Sequence, residues 1–385
     1  MEPCRHCGTE TKLVLNLGNQ PIANALQASA SEPEQTYPLH FMNCPSCGLY
    51  QATTLQPDKI FGAQYPYMTS VAKTYVNQCN DWAQKLLTKL TPKRVLEIGC
   101  NDGHLLQNFK NFDHLGIDPS GSVTYLAKQN GLNIETEYWS LETATKYATE
   151  KKFDLIIANN VLAHTPNLND FVEGVYFALD PEGVFVFEVP YVKTLLDATQ
   201  FDTIYHEHYS YFSKSTLIKI FSAHKLKIFH FEDIPTHGGS LRVYAGHLEN
   251  TSAPTIAHVE DEKISHENFS KTAQMMKFQW LHGLAELKMK GKQIVAFGAA
   301  AKGTVFCNYI GIDSDFIDYC VDESPLKQHK FTPGTRIPIK PLETINETKP
   351  DIIVILPWNF RKEIEEKLSF AKSWNAKFIS RAENG

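Results

Sequence analysis

Nowhere in the 385 residues does an uninterrupted apolar run reach the roughly 18 residues a membrane helix needs, and the start MEPCRHCGTE lacks a signal peptide's basic-then-apolar layout. These absences predict a cytoplasmic protein with no membrane partner. Positive charge is also in deficit. The 37 Lys and Arg against 43 Asp and Glu leave a net charge of -6, which argues against non-specific nucleic-acid binding. No internal repeat or low-complexity segment stands out, and no HExxH pair offers a zincin-type metal site. What remains is an ordinary globular composition, 43% apolar and 21% charged. The length exceeds what one compact core usually holds, so two or three domains are expected.

Four of the eight cysteines form two CxxC pairs, Cys4/Cys7 and Cys44/Cys47, each followed by a turn residue, Gly8 or Gly48. Two residues between thiolates let both sulfurs reach one ion, so the quartet reads as a tetrahedral zinc site with no open position, hence structural. The 36 residues between the pairs exceed the spacer of common zinc ribbons. Residues 1–60 hold Arg5, Lys12 and Lys59 against Glu2, Glu10, Glu32, Glu34 and Asp58, an acidic module ill suited to phosphate.

A second block begins near Tyr65. RVLEIG (94–99) is an apolar strand emptying into CNDGHLL, which gives the turn Glu97-x-Gly99-x-Asn101-x-Gly103. Glycines let backbone approach a ligand, and the amides of a following helix point at it. This ExGxNxG turn resembles motif I of class I methyltransferases, which cradles the methionine part of S-adenosylmethionine. A second strand, FDHLGID, ends at Asp118, whose carboxylate can accept both ribose hydroxyls; the alternative is a helix cap ahead of Pro119 and Ser120. LNIET (132–136), FDLIIANN (153–160) and GVFVFEVP (183–190) continue the series with helical stretches between them, predicting a doubly wound α/β sheet. KLKIFHFEDI (225–234) and SLRVYAGH (240–247), joined by a THGG turn, are expected to close it with an antiparallel edge. Ligands in such sheets sit at strand carboxyl ends, where Gly99, Asp118, Asn159 and Asn160 fall.

A helical connector over 258–291 leads to a third block. KQIVAFGAAAKG (292–303) is again strand, glycine turn and helix, IDYCVDE (317–323) ends in acid, and TRIPI and DIIVIL read as further strands before a last helix at FRKEIEEKL. The expected division is a zinc module at 1–60, a methyltransferase domain at 61–250, and a connector with a Rossmann-like domain at 251–385.

The zinc quartet, YPYMTS (65–70), LEIGCNDG (96–103), ANNVLAH (158–164), IYHEHYSYFS (204–213), THGGSLRVY (236–244), GAAAKGTVFCNYIG (298–311) and TPGTRIPI (332–339) together resemble the nucleotide-sugar C-methyltransferases. The likeness spans nearly the whole chain. It implies S-adenosylmethionine as donor and, as acceptor, carbon 3 of a thymidine-diphosphate 4-ketohexose; a guanosine-linked sugar stays open. Tyr209, where Phe is expected, and Lys73 depart from the pattern.

Alkylating a carbon beside a ketone needs a base, a group to stabilise the enolate oxygen and a positioned methyl sulfonium. Tyr205, Glu207 and His208 carry the required groups. If 204–209 were extended, Tyr205 would share a face with Glu207 and His206 with His208. The resemblance puts Tyr205, Glu207 and His208 all in the sugar pocket, and so implies a turn. It also makes a pocket residue of His164, which beside Thr165 and Pro166 reads equally as a turn residue. His208 is the expected base, with Tyr205 its rival, Glu207 a sugar contact, and Tyr205 or His164 a donor to the ketone. Tyr67 is expected to cover the sulfonium or bond the sugar, and Lys302 to meet the diphosphate. O- or N-methylation of another sugar nucleotide, or a non-catalytic zinc scaffold, are the alternatives.

Overall fold

Residues 2–56, 60, 73–250 and 262–381 are described by the computed structural model, and they build three sheets. The first holds β1 (Lys12–Pro21), β2 (Thr36–Asn43), β3 (Tyr50–Ala52) and, from far along the chain, β9 (Ser210–Tyr211), all antiparallel. Alternating burial turns Leu15, Leu39 and Phe41 inward.

The second sheet has seven strands. β4 (Arg94–Ile98), β5 (Asp113–Ile117), β6 (Ile134–Glu135), β7 (Phe153–Asn159) and β8 (Leu179–Pro190) are parallel, and β10 (Leu226–Ile234) and β11 (Ser240–His247) form the antiparallel edge. The order β10-β11-β8-β7-β4-β5-β6 is that of class I methyltransferases. Its central strands are largely buried on both faces, which is why VLEI and FDLIIA are mostly apolar, interrupted only by Glu97 and Asp154, instead of alternating. The reversal of strand order at β4/β7 opens a crevice at their carboxyl ends.

The third sheet is wholly parallel, in the order β14 (Ile339–Lys340), β13 (Cys320–Val321), β12 (Ile294–Phe297), β15 (Ile352–Ile355) and β16 (Lys377–Ser380). TRIPI contributes only its final Ile339 to a strand: Thr332 and Thr335 bond one another at 2.7 Å, closing a turn at Arg336, whose φ is 56°. The connector is helical over Phe269–Met289 and packs Phe269, Ala273, Trp280 and Leu284 against the first and third sheets.

The repeat missed in the sequence is structural. In both parallel sheets an acid at the tip of the second strand ties down the glycine turn beside it. Asp118 accepts from the amides of Asn101 at 3.0 Å and Ser120 at 2.9 Å. Asp322 accepts from those of Ala299 and Ser324, each at 2.9 Å. The strand, glycine turn and terminal acid of each copy were visible in the sequence, but these backbone tethers were not, with little in common between CNDG and AAAKG.

Candidate active site

The zinc ligands are assembled as expected. Sγ atoms of Cys4, Cys7, Cys44 and Cys47 lie within 4.8 Å of one another, with Cys4 to Cys47 and Cys7 to Cys44 both at 3.5 Å. Four thiolates about 2.3 Å from one zinc ion would stand at such separations, so the donor set fits a closed structural site. The Cys4 thiol is lowered to about 4 by its contact with Cys47, and that contact pushes the Cys47 thiol up. Buried Arg5 fastens the first knuckle by donating to the carbonyls of Tyr209 and, at 2.7 Å, Ala52.

The turn after β4 is shaped by left-handed backbone at Gly99 (φ 69°), Asn101 (φ 51°) and Gly103 (φ 76°). At Gly99 a Cβ would come within 2.3 Å of Val161, so no other residue fits against the loop after β7. Asp118 tethers this turn through the Asn101 amide and also accepts from the Ser120 amide ahead of the next helix, and its carboxyl is raised by burial. Glu97 lies in the strand, not the turn, and its buried carboxyl is raised well above the ordinary range, chiefly by burial and then by Asp118 and Asp102. At the end of β7, both polar atoms of the Asn159 side chain are buried without a hydrogen-bond partner among the described residues. Such a group calls for a ligand. Asn160, left-handed at φ 57°, is held by its amide to the Glu188 carbonyl at 2.9 Å. The crevice beside Gly99 and Asn159 thus fits a polar cofactor. Tyr65 and Tyr67 lie outside the described residues.

Residues 204–209 form a turn, closed by the His208 amide on the Tyr205 carbonyl at 2.9 Å. His208 Nδ1 lies 3.1 Å from the Thr203 carbonyl, which requires Nδ1 to carry the hydrogen. Nε2 is then the acceptor, and the Tyr205 hydroxyl donates to it at 2.8 Å. His164 stands edge-on to His208, ring centroids 4.7 Å apart. Burial lowers His164 to about 4 and takes His208 well below the usual histidine range, with the His164 charge adding to the latter. Glu207, fully enclosed, is pushed up by burial to about 7; Oε1 accepts from Asn24 at 3.1 Å and Oε2 is buried with no hydrogen-bond partner among the described residues. His206 turns away, to the Pro38 carbonyl at 3.2 Å. The departure at Tyr209 has a local reason: its hydroxyl donates to the Leu55 carbonyl at 2.7 Å.

Lys302 begins the helix Ala301–Ile310 after β12. It donates to Asn359 at 2.7 Å, lies 4.7 Å from the Trp358 ring centre and is lowered to about 8 by burial. Trp358 also lies under Arg381 at 4.7 Å and donates to Asp202 at 2.6 Å, while Asp202 pairs with Arg381 at 3.0 Å, both buried. At Gly238 a Cβ would sit 2.4 Å from the Trp358 ring, so the THGG turn must be glycine where it meets the third sheet. His237 in that turn is left-handed (φ 55°) and lowered to about 4 by burial and the charges of Lys302 and His164. Lys302 and the histidines therefore share one site. Sequence reasoning missed Asn24, Asp202, His237, Trp358 and Arg381; for His237 the glycines beside it were the available signal. The acid tip Asp322 differs from Asp118 in being paired with Lys327 at 3.4 Å; no described cation pairs with Asp118.

Three family models match consecutive parts of the chain: "Putative zinc binding domain" over 4–61, "Methyltransferase domain" over 72–230 and "C-methyltransferase C-terminal domain" over 235–381. The C-methyltransferase NovU of Streptomyces niveus is 29% identical over 384 residues, covering 94% of this chain and 91% of that protein. A ubiquinone biosynthesis O-methyltransferase of Bordetella avium is 29% identical over 110 residues, 27% of this chain and 45% of that protein. Among solved structures, an S-adenosylmethionine-dependent methyltransferase from Clostridium acetobutylicum is 14% identical with a TM-score of 0.37, covering 45% of this chain and 92% of that one.

With strand order, motif turn and match in agreement, the chain is an S-adenosylmethionine-dependent methyltransferase carrying a zinc-binding domain. More narrowly, it belongs to the C-methyltransferases built from a zinc-binding domain, a methyltransferase domain and a C-methyltransferase C-terminal domain.

Proposed function

We propose that the enzyme methylates C-3, beside the ketone of a nucleotide-diphosphate-linked 4-keto-deoxysugar, by way of an enolate. The observation that carries this reading is the cluster of buried His208 with the partly buried Tyr205 and His164, with His208 held in the tautomer whose Nε2 can take a proton. A base must be unprotonated at working pH, and burial keeps His208 in that form while weakening it as a base until the negative charge developing on the substrate favours its protonation. As His208 takes the α proton, the Tyr205 hydroxyl leaves Nε2 and donates to the ketone oxygen, where negative charge develops. His164 supports the same oxygen, and Glu207 holds a sugar hydroxyl.

S-adenosylmethionine supplies the electrophilic methyl group. Gly99, Asn101 and Gly103 make room for it with Glu97 beneath the turn, Asp118 receives the ribose, and Asn159 offers its unpartnered amide. The Lys327 pair at Asp322 supports giving the ribose to Asp118 and leaving the third sheet to the sugar nucleotide. Lys302 takes the diphosphate, and Asn160 and Tyr67 belong to the sugar side. The zinc module at 1–60, methyltransferase domain at 61–250 and sugar-nucleotide domain at 251–385 divide the work accordingly.

A panel of thymidine- and guanosine-linked 4-ketosugars, incubated with methyl donor and followed by mass spectrometry and carbon NMR, tests the proposal. A new C–CH3 group next to the ketone is expected. A methyl on oxygen or nitrogen, or turnover of an acceptor without a ketone, overturns it.

A further inference from the structure

The long spacer between the zinc knuckles has no role in holding metal, yet it enters the site. Asn24 lies in it, and its side-chain amide donates to Glu207 Oε1 across 183 positions of sequence. Both neighbours of this contact are pinned. The Ala23 carbonyl accepts from the buried Thr304 hydroxyl at 3.0 Å, and Gln27 exchanges backbone hydrogen bonds with Phe331 at 3.0 and 2.8 Å. Glu34, further along, pairs with Arg336 at 3.3 Å. A segment fastened on both sides cannot let the Asn24 side chain drift.

We propose that Asn24 is a positioning residue for the reaction: by donating to Oε1 of Glu207 it leaves Oε2 as the oxygen that carries the proton and meets the substrate. The chemistry follows from the donor inventory. An amide N–H can bond only an acceptor oxygen, so a protonated Glu207 must hold its hydrogen on Oε2, the atom with no partner among the described residues. The carboxyl then presents an O–H donor when protonated and an acceptor when ionised, at one fixed atom. The spacer thereby links the zinc module to the reaction.

The groups that bear on the Glu207 charge are its own backbone amide, which lowers the ionisation; Asn24 from the spacer, which lowers it through side chain and backbone; His164, which bonds the Glu207 backbone; and Tyr211, whose phenol is raised by burial and also by Glu207. Tyr205 and His208 stand beside it in the turn. Asn24 is the one side chain holding the Glu207 ionisation down. Its removal should therefore move that ionisation upward.

The test rests on the functional reading only in its second arm. In the first, the carboxylic-acid infrared band of Glu207 is isolated as the difference between wild type and Glu207→Gln, without substrate, across pH 5 to 9. Wild type should titrate near 7. Asn24→Ala should titrate higher, and Asn24→Ser, which restores a donor, should return partway. An Asn24→Ala titration that coincides with wild type overturns the proposal. In the second arm, Asn24→Ala should lower kcat roughly 10- to 100-fold with KM for the methyl donor unchanged. Unaltered kcat with a sugar that wild type methylates also overturns it. A shifted titration in a protein that turns over none of the sugars supports the Asn24 assignment while discarding the sugar reading.

Discussion

The Tyr205 hydroxyl and His208 Nε2 lie 2.8 Å apart within one turn, and the Thr203 carbonyl on Nδ1 fixes which of the two is the donor. The pair is therefore set before any substrate arrives, with the hydroxyl's proton pointing at the base and the base neutral.

If His208 enolises the sugar, wild type in deuterated solvent without methyl donor should exchange the hydrogen beside the ketone, and His208→Ala should lose this by about 100- to 10,000-fold. Undiminished exchange in the variant would transfer the role to Tyr205. The pH profile gives a second reading. The His208 ionisation is depressed by burial, so its contribution to stability is present above the ordinary 6.5 and disappears as pH falls through the lowered value. The base stays competent across the same interval, and a wild-type exchange rate that halves near 6.5 would contradict the burial argument.

Asp118→Ala should weaken S-adenosylmethionine binding on two counts, loss of a ribose acceptor and loss of the tether to Asn101. Calorimetric titration with cofactor and sugar nucleotide separately should show cofactor affinity falling about 10- to 100-fold, with sugar-nucleotide affinity within about threefold. Equal losses for both ligands would assign Asp118 to the fold at large.

Lys302 is lowered to about 8 by burial, so the cation is disfavoured in the native chain between the ordinary 10.5 and 8, and charged below it. A diphosphate binding beside it should pull that value back up, so that Lys302 takes up a proton when thymidine diphosphate binds near pH 8. Titrations in buffers of different ionisation heat would measure the uptake; Lys302→Ala should abolish it and spare the methyl donor. Uptake that persists in the variant places the diphosphate elsewhere.

Metal removal should act beyond the knuckles. One zinc per chain is expected by elemental analysis, falling in Cys44→Ser, with a lower thermal midpoint because Arg5 and the first sheet lose their anchor against Tyr209. Full zinc stoichiometry in Cys44→Ser would exclude the four-thiolate site.

The zinc quartet, the glycine turn before Asp118 and the strands of the central sheet were legible without a structure, because each rests on spacing within a few residues or on an apolar run that backbone pairing requires; in the third sheet TRIPI gave only Ile339 to a strand and β16 was not read. CxxC determines where two sulfurs point, and a strand buried on both faces is apolar over most of its length. Tyr205, Glu207 and His208 could be read as a reactive group, but not which of them meet. Tertiary structure decided that His206 turns to Pro38 while His208 turns to His164. It also decided that Asn24 reaches Glu207, that β9 completes the sheet of the zinc module, and that Asp202 lies between Trp358 and Arg381. These partners are polar residues far apart in the chain, with no period or motif between them. Their pairing is set by which domain faces pack together, and once buried each polar group had to find a partner there.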